Sequence, residues 1–308
     1  MTASTGGLSA GKVIGLTRRA TPSASPRRGH GLAAVNRAST LSEGLILLEA
    51  VSKRFAPRKA GENGHLALDD VSFDIGAGRF VAVVGPSGCG KSTSLSLIAG
   101  LDEPSTGTVT VDGRRVDGVG RNIGFLFQRD ALLPWKTVRG NVLLPLVLRG
   151  IDQAAAAKRA ADWIARVGLR GFEDAWPHHL SGGMRKRAAL AQTLVYDPQI
   201  VLMDEPFSAL DVQTRNLMEN ELLGLWQGSG KTIVFVTHDL EEAIALADEV
   251  VVMTAAPGRV KARYDVPLSR PRNVQEVRFE AAFQSLYEQM WNDLRDEVLE
   301  SYERSLRA

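Results

Sequence analysis

Phe80-Val81-Ala82-Val83-Val84-Gly85-Pro86-Ser87-Gly88-Cys89-Gly90-Lys91-Ser92-Thr93 decides how this chain folds. Phe80 to Val84 is an unbroken apolar run, as expected of a strand buried on both faces. Gly85 to Ser92 fits G-x-x-x-x-G-K-[ST], and Ser92 to Ala99 reads as a helix. Strand, glycine loop and helix in that order make a phosphate-binding turn. The glycines let backbone N–H groups converge on phosphate oxygens, and the new helix points the positive end of its dipole at them. Gly85, Pro86, Ser87, Gly88, Cys89, Gly90, Lys91, Ser92 and Thr93 are therefore the expected nucleotide-binding residues. Lys91 would neutralise the outer phosphates and Ser92 would ligate Mg²⁺.

Working outward, Ile200 to Met203 is a second apolar run, and it delivers Asp204 and Glu205 at its carboxyl end, where ligands bind in open α/β sheets. Adjacent strand residues point to opposite faces, which predicts separate roles for the two acids. Asp204 reads as the Mg²⁺ partner and Glu205 as the base that positions or polarises the attacking water. Gln128 ends the run Asn122 to Phe127, and His238 ends the run Thr232 to Thr237. Each alone would be an ordinary hydrogen-bonding residue at a strand end. Leu180-Ser181-Gly182-Gly183-Met184, taken alone, is a small polar turn that opens a helix.

The order of these pieces is the informative part: glycine loop, Gln128, LSGGM, Asp204-Glu205, Ser208-Ala209-Leu210-Asp211, His238. In that order, over about residues 45 to 256, the chain resembles the ATP-binding cassette (ABC) ATPases. The resemblance implies an α/β fold: a P-loop, RecA-like ATPase core with an antiparallel β subdomain and a helical subdomain, about residues 129–185, inserted between Gln128 and the LSGGM loop. It implies ATP hydrolysis with Mg²⁺ held by Ser92, Asp204 and Gln128. Gln128 would sense the γ-phosphate and the metal, and His238 would contact the γ-phosphate. Phe55 stands where family members stack an aromatic, more often tyrosine, on adenine. The family's signature loop, here Leu180, Ser181, Gly182, Gly183 and Met184, caps ATP bound to a partner subunit, and Ser208, Ala209, Leu210 and Asp211 form the loop joining the two sites. Met184 occupies a position that is commonly glutamine.

Homodimer or heterodimer formation with a second ATPase subunit is thereby expected, together with membrane permease subunits and, indirectly, a solute-binding protein. Arg129 to Val138, with Leu132, Leu133 and Trp135 beside charge, resembles the groove that grips a permease helix. That segment, Ser181 to Arg187 (SGGMRKR) and Thr254 to Arg259 are similar to the subfamily serving nitrate, sulfonate and taurine importers. The implied location is the cytoplasmic face of the cell membrane, held by the permease. The alternative is a soluble ABC ATPase acting as a mechanical factor on ribosomes or DNA. Such proteins usually carry two cassettes or a long coiled-coil insertion, and neither is seen here.

Composition fits a large soluble core: 308 residues, 44% hydrophobic. No apolar stretch reaches the length of a membrane span, and Leu143 to Leu148 is broken by Pro145. Lys12, Arg18, Arg19, Arg27, Arg28 and Arg37 face only Glu43 within residues 1–44, whereas the whole chain is +2. The remainder is thus net negative and offers no basic signal for nucleic acid. Residues 1–44 read as a disordered basic extension, though an organellar transit peptide has a similar composition. Cys89 is the only cysteine; at a helix N-terminus it is expected to have a lowered pKa and to be open to alkylation. His178 and His179 read as surface or packing residues.

Leu47 to Phe55, Leu66 to Ile75, Thr108 to Val111 and Asn122 to Phe127 alternate apolar and polar residues, predicting a partly antiparallel β region, with Pro57 to Gly64 as a loop. Ala154 to Val167 predicts a helix stopped by Gly168, and Met184 to Leu194 another. Residues 257–308 predict a strand and an amphipathic helix packed on the ATPase domain, with Phe283, Leu286, Tyr287, Met290, Leu294 and Val298 on one stripe. With 70 residues after His238, the regulatory β domain of many sugar-importer ATPases is not expected.

Overall fold

Strands that are apolar throughout and strands that alternate end in different sheets. The computed structural model of the protein describes residues 45–57 and 64–307. The basic extension predicted for residues 1–44 lies outside the described residues, as does most of the Pro57–Gly64 loop. The chain runs β1 (Ile46–Phe55), β2 (His65–Ile75), β3 (Phe80–Val84), α1 (Lys91–Ala99), β4 (Thr106–Val111), β5 (Arg114–Arg115) and β6 (Ile123–Leu126). Three helices follow: α2 (Val138–Leu148), α3 (Gln153–Arg166) and, after a 3-10 turn at Pro177–His179, α4 (Gly182–Leu194). Then come β7 (Ile200–Asp204), α5 (Val212–Trp226), β8 (Thr232–Thr237), α6 (Leu240–Leu246), β9 (Glu249–Met253), β10 (Val260–Asp265), α7 (Val274–Val277) and α8 (Ala281–Arg307).

The first sheet has the order β2-β1-β4-β5 and is antiparallel; the second has the order β10-β9-β3-β8-β7-β6. In the second sheet every pairing is parallel except β10 on β9. Its middle strands β3 and β8 are buried at every position, as their continuous apolar runs require. Alternate residues of β3 feed different cores. Phe80, Ala82 and Val84 pack among the helices, whereas Val81 and Val83 meet the antiparallel sheet and Leu95 and Ile98 of α1.

Ile123–Leu126 departs from the expectation. It pairs in parallel with β7 at the edge of the second sheet and takes no part in the antiparallel one. Its alternating burial is that of an edge strand covered mainly on one side, a pattern that short range cannot distinguish from an antiparallel strand. The signature helix starts at Gly182, two residues before the predicted start, because Ser181 supplies its cap: the Ser181 hydroxyl accepts from the Met184 N–H at 3.3 Å. In α8, Phe283, Leu286, Met290 and Leu294 are buried in the same core as α6, while Val298 is 37% exposed.

Candidate functional site

Four neighbouring parallel strands, β3, β8, β7 and β6, deliver their carboxyl ends to one edge of the sheet, and a candidate residue follows each. The glycine loop follows β3, His238 follows β8, Glu205 follows β7, and Gln128 lies just beyond β6. Gly90 opens α1 with φ 92°, and a Cβ there would lie 2.5 Å from Leu68 Cδ2 and 2.7 Å from the Ala67 carbonyl oxygen, so only glycine fits. No side chain caps α1 and its first turn holds no acid, which leaves its leading N–H groups to an anion. The Lys91 ammonium is buried and donates to the carbonyls of Gly85 at 2.8 Å and Pro86 at 3.0 Å. Its third donor has only a long contact, 4.0 Å, to the weak acceptor Cys89 Sγ, which a phosphate oxygen would outcompete.

Ser92 Oγ donates to Asp204 Oδ1 at 2.8 Å. Burial raises the Asp204 carboxyl above its ordinary value, a cost that a neighbouring cation would offset. These hard oxygen donors, with the Gln128 amide nearby, fit Mg²⁺.

Glu205 lies just beyond β7 with φ 42°, in the left-handed region that few residues other than glycine adopt. The strand alternation expected to send Asp204 and Glu205 apart therefore stops at Asp204, and both acids face the site. Glu205 Oε2 accepts from Gln128 Nε2 at 3.1 Å and lies 3.2 Å from His238 Nδ1. The His238 contact holds Glu205 below the usual carboxylate range, and Glu205 in turn raises the His238 imidazole.

Three of the expected catalytic residues thus meet on one oxygen beside a phosphate loop, in an α/β sheet with an antiparallel sheet on its other side. The chain matches the family model described as ABC transporter over residues 68–208. It is 50% identical over 235 residues to an uncharacterized ABC transporter ATP-binding protein of Methanocaldococcus jannaschii, covering 76% of this chain and 86% of that protein. This chain belongs to the ABC transporter ATP-binding family. It is similar to a taurine import ATP-binding protein of Rhizobium johnstonii, 46% identical over 226 residues and covering 73% of this chain and 86% of that protein. An aliphatic sulfonates import ATP-binding protein of Bacillus thuringiensis is 38% identical over 258 residues, with 84% and 96% covered. Among solved structures, a dimeric ATP-binding cassette in a post-hydrolysis state bound to ADP and Pi matches with TM-score 0.65 and 33% identity, covering 73% of this chain and 100% of that chain. The cassette is an ATPase.

The remaining candidates of the ABC cassette do not share the Glu205 Oε2 contacts. Among the described residues no hydrogen bond joins residues 180–184 to residues 85–93. Leu180 is buried, Ser181 is exposed, and Met184 packs partly buried against the core. In the Ser208–Asp211 loop, Ser208 Oγ donates to the Glu205 carbonyl at 3.0 Å, and Asp211 caps α5 by accepting from the Thr214 N–H at 3.0 Å. Phe55 ends β1, is 39% exposed, and has the Lys53 ammonium 5.1 Å from its ring centre, so it is not a core residue. Cys89 corrects an expectation. It is fully buried and burial raises its thiol pKa, because Met253 and its own loop enclose it; the nearby Lys91 charge is the smaller effect.

Sequence reasoning missed Lys186 and Asp130. Lys186 is buried, donates to the Gln128 carbonyl at 2.7 Å and pairs with Asp130 at 2.9 Å, while Arg185 pairs with Asp130 at 3.3 Å and donates to the Leu180 carbonyl at 2.7 Å. The start of the signature helix is thereby bolted to the backbone of Gln128. The only sequence signal was the run of three basic residues, Arg185, Lys186 and Arg187, after SGGM, which ordinarily faces solvent. Among the described residues no three His, Cys, Asp or Glu side chains cluster as a metal site, and no helix is long and apolar enough to cross a membrane.

Proposed function

We propose that this chain is the ATP-hydrolysing subunit of an importer, acting as a homodimer or beside a second ATPase subunit that closes with it on two MgATP. Closure and reopening would drive a membrane permease that takes up a small anion or organic solute of the nitrate, sulfonate or taurine type, delivered by a solute-binding protein. The convergence of Gln128 and His238 on Glu205 Oε2, beside the phosphate loop, carries this reading. The printed names of the taurine and aliphatic sulfonates relatives support the solute class.

In the proposed reaction the loop N–H groups, the start of α1 and Lys91 hold the phosphates, and Ser92, Asp204 and Gln128 hold Mg²⁺. Mg²⁺ held by these residues would supply charge neutralisation at the phosphates. Glu205, kept ionised by its partners, orients water for attack on the γ-phosphorus and accepts its proton. His238 and the partner subunit's signature loop steady the charge that builds on the phosphoryl oxygens. The same composition would place the subunit on the cytoplasmic face of the membrane, bound through its permease. The Arg129–Val138 segment, with Trp135 69% exposed, suits a permease helix, and a groove of about 580 Å³ lined by Leu101, Phe127, Leu148, Arg121, Arg149 and Tyr196 is a second surface that mixes apolar and basic residues.

Glu205→Gln tests the reading. The variant is expected to bind ATP with near wild-type affinity, to lose about 10²–10⁴-fold in turnover, and to accumulate as an ATP-bound dimer in gel filtration. Hydrolysis at the wild-type rate would remove Glu205 from its role.

A further inference from the structure

A second acidic pair lies behind the site. Glu219 on α5 and Glu242 on α6 are 0% and 4% exposed. Glu242 Oε2 accepts from the Thr237 hydroxyl, but Glu242 Oε1 and both oxygens of Glu219 receive no donor. The cations that face them donate no hydrogen bond to them, although Arg215 Nε and Arg278 Nε are themselves buried without a partner. Arg278, at the end of α7, comes no nearer than 3.7 Å to Glu219 and also engages Glu241 at 3.4 Å. Arg215 on α5 is held by Asp239 at 3.4 Å and by the Leu210 carbonyl at 3.2 Å. Two arginines and two further acids, Asp239 and Glu241, thus roughly cancel around the pair, and the cluster has little charge left with which to neutralise two buried carboxylates. Neighbouring carboxyls shielded from water do not both ionise.

The same residues connect two parts of the candidate site. Thr237 precedes His238, and its Oγ also accepts from the Asp239 N–H at 3.0 Å. Asp239 caps α6 by accepting from the Glu241 and Glu242 N–H groups at 2.9 and 3.2 Å. Arg215 carries the connection from Asp239 to Leu210, inside the Ser208–Asp211 loop.

We propose that Glu219 and Glu242 share one proton and act as positioning residues, joining α5 to α6 so that the Ser208–Asp211 loop and His238 are set in register for hydrolysis. The proton belongs on Glu242 Oε1, which lacks a donor, and the negative charge belongs on Glu219, which faces Arg278. Burial pushes both carboxyls well above the carboxylate range, consistent with a retained proton. As pH rises through the raised folded-state values the second carboxylate appears, and the two helices repel.

The proposal rests on the ATPase activity for its kinetic readout but not for its spectroscopic one. With the full chain, Glu242→Ala is expected to lower kcat about tenfold with little change in KM for ATP. Glu242→Gln, which imitates the protonated acid, is expected to restore most of that loss and to lack the alkaline fall in kcat that the proposal predicts for wild type. An alkaline fall that is identical in wild type and Glu242→Gln overturns the proposal. Infrared spectra of the wild-type chain near neutral pH are expected to contain a protonated-carboxyl stretch that is kept in Glu205→Gln and lost in Glu242→Gln. Absence of that band from wild type overturns the shared proton whether or not the protein hydrolyses ATP or the variants fold.

Discussion

At the scale of single residues, Glu205 and His238 define each other's charge. His238 has its pKa raised in the folded chain, so the stabilisation it contributes is complete below its ordinary value and is lost as pH rises through the raised one. Glu205 is depressed, so its contribution is present above the ordinary glutamate value and is lost as pH falls through the lowered one. The contact is therefore strongest between the two folded-state values. NMR titration is expected to place His238 above the usual ~6.5, and Glu205→Gln to bring it to that value or lower, since partial burial alone disfavours the imidazolium. An unchanged titration would mean that another group holds the imidazole. The identities of these residues were legible in the sequence because each ends an apolar run. Their meeting on one oxygen was not, since Gln128 and Glu205 lie 77 positions apart and Glu205 reaches the site through a left-handed backbone that no local pattern announces.

At the scale of elements, caps and periods were readable to within a few residues. α3 was predicted from Ala154 and begins at Gln153, where the Asp152 carboxylate accepts from the Ala154 and Ala155 N–H groups at 3.0 and 3.1 Å. Asp152→Ala is expected to cost about 1 kcal/mol of folding stability, read by urea denaturation, with ATPase activity unaltered; Asp152→Asn should cost less. A loss below ~0.3 kcal/mol would show that α3 does not depend on its cap. α8 followed its apolar stripe as far as Leu294, and Val298 then emerges where the helix runs past the core. β6 was readable as a strand but not as a member of its sheet, because edge strands of parallel and antiparallel sheets both alternate in burial.

At the scale of the whole molecule, the signature loop caps its own helix and, among the described residues, makes no hydrogen bond to residues 85–93. Ser181→Arg is expected to abolish hydrolysis while ATP binding to the monomer, measured by calorimetry, stays within about threefold of wild type, because the change puts bulk and charge at the dimer contact. Loss of both would mean that the loop serves its own site. The sequence by itself determined the strand, glycine loop and helix at residues 80–99, the order of the motifs and which side chains are candidates for catalysis. Those depend on local periodicity and on chemistry that only certain residue types supply. The tertiary structure alone decided that Cys89 is sealed, that Lys186 bolts the signature helix to Gln128, and that Glu219 and Glu242 are both buried. Burial and charge pairing arise from segments far apart in the chain, and their energies exist only once folding has excluded water between them.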